Sequence, residues 1–279
     1  MDEVLLRQHV EALAGTPRVP GTPEHEKAIE YIRDEFKSLL LPTQVVVESD
    51  GSKNIVAVAG NPRMPCFVVG AHYDSVPGSP GADDNASGVA ALLEIASVYK
   101  PYKKPQHMSF EKGAHHVQFV AYDCEEDGLL GSAAHCRRLQ QGGVEVLGMM
   151  SLEMLGYTSP NQKFVEGISI PRTEGDFLAI VSNPKSVSLL KLFQGIESPL
   201  PYDTLTVPRG TEAAMLSRLS DHGSFWDAGW NALLLTDTAF LRNPHYHQPT
   251  DTPATLDYTF LRHSAELVSK ALKGLVNIA

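Results

Sequence analysis

Cysteine is scarce in this chain, with three in 279 residues, at Cys66, Cys124 and Cys136. An odd and widely spaced set does not make a disulfide framework, and no Cys-x-x-Cys pair is present to build a zinc ribbon. Each cysteine is read as a small buried hydrophobe. Long apolar runs are missing as well. No stretch of about 18 apolar residues occurs, so no helix is expected to span a membrane. Met1–Leu13 is amphipathic and charged and lacks the basic-then-apolar order of a secretory signal. The compartment is left open: cytoplasmic as written, or exported if a leader was trimmed. Basic residues are outnumbered: 23 Lys and Arg against 33 Asp and Glu leave a net charge of −10. Such a field repels polyanions and argues against nucleic acid as a partner. Three catalytic signatures are also absent. There is no Gly-x-Ser-x-Gly elbow, no His-Glu-x-x-His helix and no Gly-x-Gly-x-x-Gly loop, so nucleophile-elbow hydrolysis, a zinc-helix protease and dinucleotide binding all lose their usual support.

What is present is ordinary globular material. Hydrophobic residues make up 43% and charged residues 20%, and a chain of this size buries roughly 75% of its unfolded surface in one core. No repeat or low-complexity tract interrupts it. Apolar positions at steps of three and four predict helices over Met1–Leu13 and Glu24–Leu40. Ser87–Tyr99 is read as a helix apolar on most sides, and helices are also expected over Gly131–Gln141, Ser186–Ile196 and Thr255–Val276. A short helix is expected over Asp221–Gly229. Short runs rich in Val, Ile, Leu and Phe predict strands at Val45–Val47, Asn54–Ala59, Cys66–Gly70, Val117–Tyr122, Val144–Met150, Phe177–Ser182 and Ala232–Thr236. Strands and helices alternate, which predicts an α/β fold: one domain over residues 1–279, with a mostly parallel central β-sheet and helices on both faces. In such sheets, sites form in loops at the carboxyl ends of strands.

Acidic and histidine residues gather in those loops. His72-Tyr73-Asp74 follows a buried strand. His72 can reach a metal while Asp74 accepts the other imidazole N–H. Asp84 lies in Gly81-Ala82-Asp83-Asp84-Asn85-Ala86-Ser87-Gly88, a glycine-flanked loop that opens a helix. Its neighbours Asp83, Asn85 and Ser87 are read as helix-capping residues. Glu125-Glu126 follows the next buried strand. Neighbouring side chains diverge, so one carboxylate can bind metal while the other acts as a general base. Glu153 follows Val144–Met150, and His247 sits late in the chain with His245 as a rival. Zinc chemistry needs a few N and O ligands, an open position and a base, and two zincs need a bridging carboxylate between them.

The order His, Asp, Glu-Glu, acid, His resembles the di-zinc aminopeptidase family of exopeptidases, which includes bacterial leucyl aminopeptidases and glutamate carboxypeptidase. The likeness runs from about Gly21 to Asp257. It is carried by Gly70-Ala71-His72-Tyr73-Asp74-Ser75, by the Gly81–Gly88 loop and by Glu125-Glu126-Asp127-Gly128-Leu129-Leu130-Gly131-Ser132. Ser220-Asp221-His222 and Tyr246-His247 through Asp251-Thr252 complete it. The resemblance implies a zinc-exopeptidase fold and a peptide or peptide-like substrate. It implies zinc as cofactor, two ions expected and one possible, held by His72, Asp84, Glu126, Glu153 and His247. Asp84 is the implied bridge, His72 and Glu153 share one metal, and Glu126 and His247 share the other, though the pairings can be permuted. Glu125 is the implied general base, and Tyr246 occupies a position whose hydroxyl can steady an oxyanion. One departure stands out, because the family commonly has aspartate where this chain has Glu153. A single-zinc glutaminyl cyclase and a metal-free binding homologue remain the alternatives. Arg209, Arg218 and Arg242 are the cations available to a substrate carboxylate. Residues 157–177 and Leu200–Arg218 are expected as pocket walls, with Met215 and Leu216 as apolar lining.

Overall fold

The computed structural model describes residues 1–100, 115–165, 172–208 and 210–275. Arg209, residues 166–171 of the expected pocket wall and Val276 at the end of the expected last helix lie outside the described residues. Two helices come first, α1 (Glu3–Leu13) and α2 (Pro23–Ser38). Thr22 caps α2 by accepting the His25 N–H, and Pro23 fills the first helical position, where no N–H is needed. Strands β1 (Thr43–Val47), β2 (Lys53–Ala59) and β3 (Cys66–His72) follow, then helix α3 (Gly88–Ser97), strand β4 (His116–Tyr122), helix α4 (Leu130–Gln141) and strand β5 (Val146–Glu153). The second half contains β6 (Leu178–Ser182), β7 (Tyr202–Thr206), the short helices α5 (Glu212–Leu216) and α6 (His222–Asp227), β8 (Ala232–Thr236) and the long α7 (Tyr258–Gly274). The expected helix at Ser186–Ile196 is a 3₁₀ segment, Ser186–Phe193.

All eight strands join one sheet in the order β1-β2-β4-β3-β5-β8-β6-β7. The centre, β4-β3-β5-β8, is parallel throughout. Antiparallel pairs occur on either side of it, β1 with β2 and β2 with β4 on one flank and β6 with β8 on the other. Every residue of β3 and β4 is buried, as a strand covered on both faces requires. Alternation along β3 assigns the two faces. Phe67, Val69 and Ala71 join Leu6, Ile32, Leu92 and Val268 under α1, α2, α3 and α7. Cys66 and Val68 join Val120, Cys136, Leu139 and Phe225 under α4 and α6. Gly70 has no room for a side chain, since a Cβ there would meet the Tyr122 ring at 2.3 Å. All three cysteines are buried and unpaired, as expected. Among the described residues no helix is long and apolar enough to cross a membrane.

Candidate metal centre

The parallel strands end together, and each end delivers acid or histidine to the same place. His72 is the last residue of β3 and Glu153 the last of β5, while Glu125 and Glu126 follow β4 by a few residues. Asp84 arrives from the turn Ala82–Ser87, where its backbone leaves the helical region (φ −104°, ψ 87°). His247 comes from the loop before α7. The Nε2 atom of His72 lies 3.3 Å from Asp84 Oδ1 and 3.4 Å from Glu153 Oε1. On the far side of the same carboxylate, His247 Nε2 lies 3.1 Å from Asp84 Oδ2 and 3.2 Å from Glu126 Oε2. Asp84 therefore turns one oxygen toward each histidine. Ligand atoms of His72, Asp84 and Glu126 fall within 4.8 Å of one another, as do those of His72, Glu125 and Glu153.

These separations test what the cluster is built for. Charge-assisted N–H···O bonds are shorter, about 2.7–2.9 Å. Donors around a tetrahedral zinc, at bond lengths of about 2.0–2.2 Å, stand roughly 3.3–3.5 Å apart. The observed 3.1–3.4 Å spans sit nearer the second geometry. His247 Nε2 and Glu126 Oε1 are buried without a hydrogen-bond partner, an expensive state unless a cation takes up the lone pairs. The residues thus fit a divalent metal by spacing, donor type and unmet demand.

Electrostatics without an ion points the same way. Burial opposes charge on His72, but Glu153 and Glu125 outweigh it and hold the imidazole well above its ordinary pKa. His247 is opposed by burial and pushed up to about 10 by Asp84 and Glu126. Asp84 is held below the usual carboxylate range, because its two histidine neighbours overcome burial. Glu125 is raised well above that range by burial and by Glu153, Asp221 and Glu126, against the pull of His72. With no metal present, the acid cluster thus favours the protonated form of both histidines.

Several neighbours hold this arrangement. The Asp74 oxygens accept the backbone N–H groups of Glu125 and Glu126, at 3.1 Å each. Its Oδ1 lies 3.4 Å from His72 Nδ1, so its shorter bonds go to the Glu125-Glu126 turn rather than to the imidazole. Asp251 accepts the N–H groups of Asp83 and Asp84, at 2.9 and 3.1 Å. Ser220 donates to the second oxygen of Glu153 at 2.7 Å and is itself bonded to Ser151 at 3.1 Å. None of these three roles was assigned from sequence, although Asp251 and Ser220 lie inside the matching motifs. Asp83, Asn85 and Ser87 do more than start a helix. Asn85 accepts the Gly88 N–H but also the Met154 N–H, Ser87 accepts the Leu155 N–H and Asp83 the Gly156 N–H, so the loop is laced to the exit of β5. His245 is turned away, bonded to Thr250 Oγ1 at 2.8 Å.

Beside the cluster is an apolar pocket of about 120 Å³, open to solvent, whose walls include Glu153, Phe164, Ala179, Ala213, Leu234 and Tyr246. Both expected wall segments contribute, and Leu216 lines it while Met215 is largely exposed. The Tyr246 ring stacks on His247 at 3.8 Å between centroids. Among the described residues, Glu153 is the one charged side chain of the lining. Two of the three expected cations are engaged elsewhere: Arg242 is buried, donating to Gln162, Tyr157 and Phe177 and lying over the Phe177 ring, and Arg218 pairs with Asp227.

An acidic, two-histidine cluster at the carboxyl edge of a parallel sheet defines a class, an α/β protein with a built site for divalent metal. Comparison with known proteins makes this specific: residues 54–272 match the model of peptidase family M28, and the chain belongs to that family. It is 33% identical over 274 residues to the Escherichia coli protein YfbL, which carries no assigned function, covering 90% of this chain and 80% of that protein. It is 30% identical over 208 residues to a probable leucine aminopeptidase of Arthroderma otae, covering 72% of this chain and 51% of that protein. The chain thus spans about half the length of that fungal relative. Among solved structures, the Legionella pneumophila LapA aminopeptidase superposes with a TM-score of 0.78 at 20% identity, over 98% of this chain and 72% of that one. A zinc aminopeptidase from Bacillus subtilis does so at 0.71 and 17%, over 98% and 95%. Porphyromonas gingivalis glutaminyl cyclase does so at 0.69 and 18%, over 98% of each. At these identities the structures establish a shared fold.

Proposed function

We propose that the protein is a zinc-dependent aminopeptidase that removes N-terminal residues with large apolar side chains from peptides, using two zinc ions. The observation that carries this is Asp84, with one oxygen 3.3 Å from His72 and the other 3.1 Å from His247, beside an apolar pocket that has no basic residue among the described ones. A carboxypeptidase needs a cation for the substrate carboxylate, and the arginines considered for that task are engaged elsewhere or lie outside the described residues. An acidic site instead favours the free α-amine of a peptide N-terminus. Names among the relatives and the similar folds, leucine aminopeptidase and zinc aminopeptidase, support the same assignment.

In this proposal His72, Asp84, Glu126, Glu153 and His247 would hold the zinc, with Asp84 available to both histidines. Zinc, when bound, supplies a Lewis acid and makes a water acidic enough to attack at neutral pH. Glu125 takes the proton from the attacking water and hands it to the leaving amine. Its burial among carboxylates suits a base that must hold that proton briefly. The Tyr246 hydroxyl donates to the oxyanion that forms on the scissile carbonyl. Phe164, Ala179, Ala213 and Leu234 receive the side chain of the first residue and exclude water from it.

The test is metal content on protein purified without chelator, together with release from a panel of aminoacyl-nitroanilides. About two zincs per chain and chelator-sensitive release, fastest with leucine or phenylalanine, is the expected result. One zinc with cyclisation of N-terminal glutamine would transfer the site to the cyclase. No metal regained on adding zinc would leave a binding homologue.

A further inference from the structure

Arg18 heads the fully buried side chains by size, with 1% of its surface exposed. It lies upstream of the matched region 54–272. Its hydrogen bonds go to backbone carbonyls. Nε donates to Tyr73 at 2.7 Å, Nη1 to Leu13 at 2.8 Å and to Pro80 at 2.6 Å, and Nη2 to Gly81 at 2.8 Å. Its own N–H donates to Ser75 Oγ at 2.9 Å, and the Ser75 N–H returns to the Arg18 carbonyl at 3.4 Å. Three of the four carbonyls belong to the segment between His72 and Asp84. Tyr73 follows His72 directly, and Gly81 precedes Asp84 by three residues. The segment is shaped to receive the guanidinium. A Cβ on Gly81 would lie 2.9 Å from Nη2 and 2.2 Å from the Asp84 carbonyl. A buried charge is strongly disfavoured unless hydrogen-bonded and compensated. Compensation here comes from the carbonyl dipoles and from Asp74, Asp251, Asp84 and Glu126, whose charges act on the guanidinium.

We propose that Arg18 is a positioning residue for the metal centre: by gathering the carbonyls of Tyr73, Pro80 and Gly81 it sets His72 and Asp84 face to face, and its charge offsets part of the acid cluster. A planar fork with donors in fixed directions binds several carbonyls at once, whereas lysine presents its donors from one point. The inference rests on the zinc aminopeptidase function proposed above.

The test compares the parent with R18K, S75A and a control, L139A, which loosens the core under α4 and α6 without touching the site. Zinc dissociation constants are measured by competition with a chromogenic chelator, well below each melting temperature, alongside kcat and KM. R18K is expected to bind zinc at least tenfold more weakly and to lose kcat more than KM. L139A is expected to bind zinc as the parent does despite a lower Tm. R18K holding two zincs within twofold of the parent affinity would overturn the proposal, as would L139A weakening zinc as much as R18K. If R18K fails to fold, S75A decides: at least threefold weaker zinc binding supports the role, and parent-like binding overturns it. A parent that binds no zinc would remove the aminopeptidase function, and this inference with it, whereas a zinc-binding parent with an indifferent R18K removes this inference alone.

Discussion

Two glutamates separated by nothing but a peptide bond take different environments, and the proposed function gives them different roles. Glu126 faces His247 at 3.2 Å, while Glu125 shares its neighbourhood with His72 and Glu153. Under the proposed function, E125Q keeps both zincs and loses roughly 10²–10⁴-fold in kcat, the usual span for a general base. Metal analysis beside nitroanilide kinetics checks this, and full activity with metal bound would reassign the base. H247A is expected to lose metal while H245A keeps it, since His245 is bonded to Thr250. The same residues predict a proton count. His72 and His247 are both raised above their ordinary pKa in the metal-free chain, the latter to about 10. Metal takes the neutral imidazole, so zinc binding at pH 7 must expel protons and tighten as pH rises toward 10. Calorimetry in buffers of different ionisation enthalpy is expected to find at least one proton released per chain. Release of none would mean that the histidines do not bind the metal.

Elements explain what could and could not be read in the sequence. β3 and β4 were legible because covered strands are continuous apolar runs, and the three strand ends that carry His72, Glu125 and Glu153 follow from them. The apolar run that predicts β5 stops at Met150 and leads into Ser151-Leu152-Glu153, and pairing with β8 carries the strand through Glu153. The polar side chains of Ser151 and Glu153 serve the site, and so they resemble a strand end. β7, Tyr-Asp-Thr-Leu-Thr, was missed because an edge strand half-open to solvent has no apolar run. α5 is too short to show periodicity. The bonds that hold the site were invisible for another reason, since Ser220 to Glu153 and Asp251 to Asp84 join residues far apart in sequence.

Two predictions belong to elements. Ala179 on β6 and Ala213 on α5 keep the pocket wide. A179F is expected to cut kcat/KM for leucyl substrates about 10–200-fold while sparing alanyl ones, as loss of room in an apolar pocket does, and an unchanged ratio would place the side-chain pocket elsewhere. On the opposite face, a chain of bonds joins α4 to β4. The Tyr122 hydroxyl meets His135 Nδ1 at 2.9 Å, His135 Nε2 meets Gln118 Oε1 at 3.0 Å, and Gln118 Nε2 meets His116 Nε2 at 3.1 Å. Burial, helped by Arg138, lowers His135 to about 3. Unfolded, it titrates near 6.5, so between about pH 6.5 and 3 the unfolded chain binds a proton that the folded chain refuses. Stability is full above 6.5 and falls below it, by up to about 1.4 kcal/mol per pH unit from this residue. H135Q is expected to flatten that slope in urea titrations from pH 7 to 4, whatever its constant cost, and an unaltered slope would assign the acid sensitivity to other groups.

At the scale of the molecule, the acid excess is unevenly placed. Asp74, Asp84, Glu125, Glu126, Glu153, Asp221 and Asp251 meet at one edge of the sheet, and all but Glu126 are buried. Asp221 is raised to about 7 by burial, with Glu153 and Asp74 adding to it against His72, and both its oxygens lack a hydrogen-bond partner. Such a cluster repels itself and favours opening of the loops that carry it. The same loops connect β3, β4 and β5, the centre of the fold, so repulsion there acts on global stability rather than on a detachable flap. A cation that binds the folded chain alone stabilises it by about 2.7 kcal/mol at a hundredfold excess over its dissociation constant. For a chain of this size that raises Tm by about 5 °C. Stripping zinc with a chelator is therefore expected to lower Tm by at least about 5 °C, with recovery on adding zinc back but not magnesium, whose preference for octahedral oxygen sites does not suit two imidazoles. Differential scanning fluorimetry at constant pH decides it. An unchanged Tm in a protein that demonstrably gains and loses zinc would mean that protons already neutralise the cluster as well as metal does. The melting curve would then depend on pH where it ignored zinc.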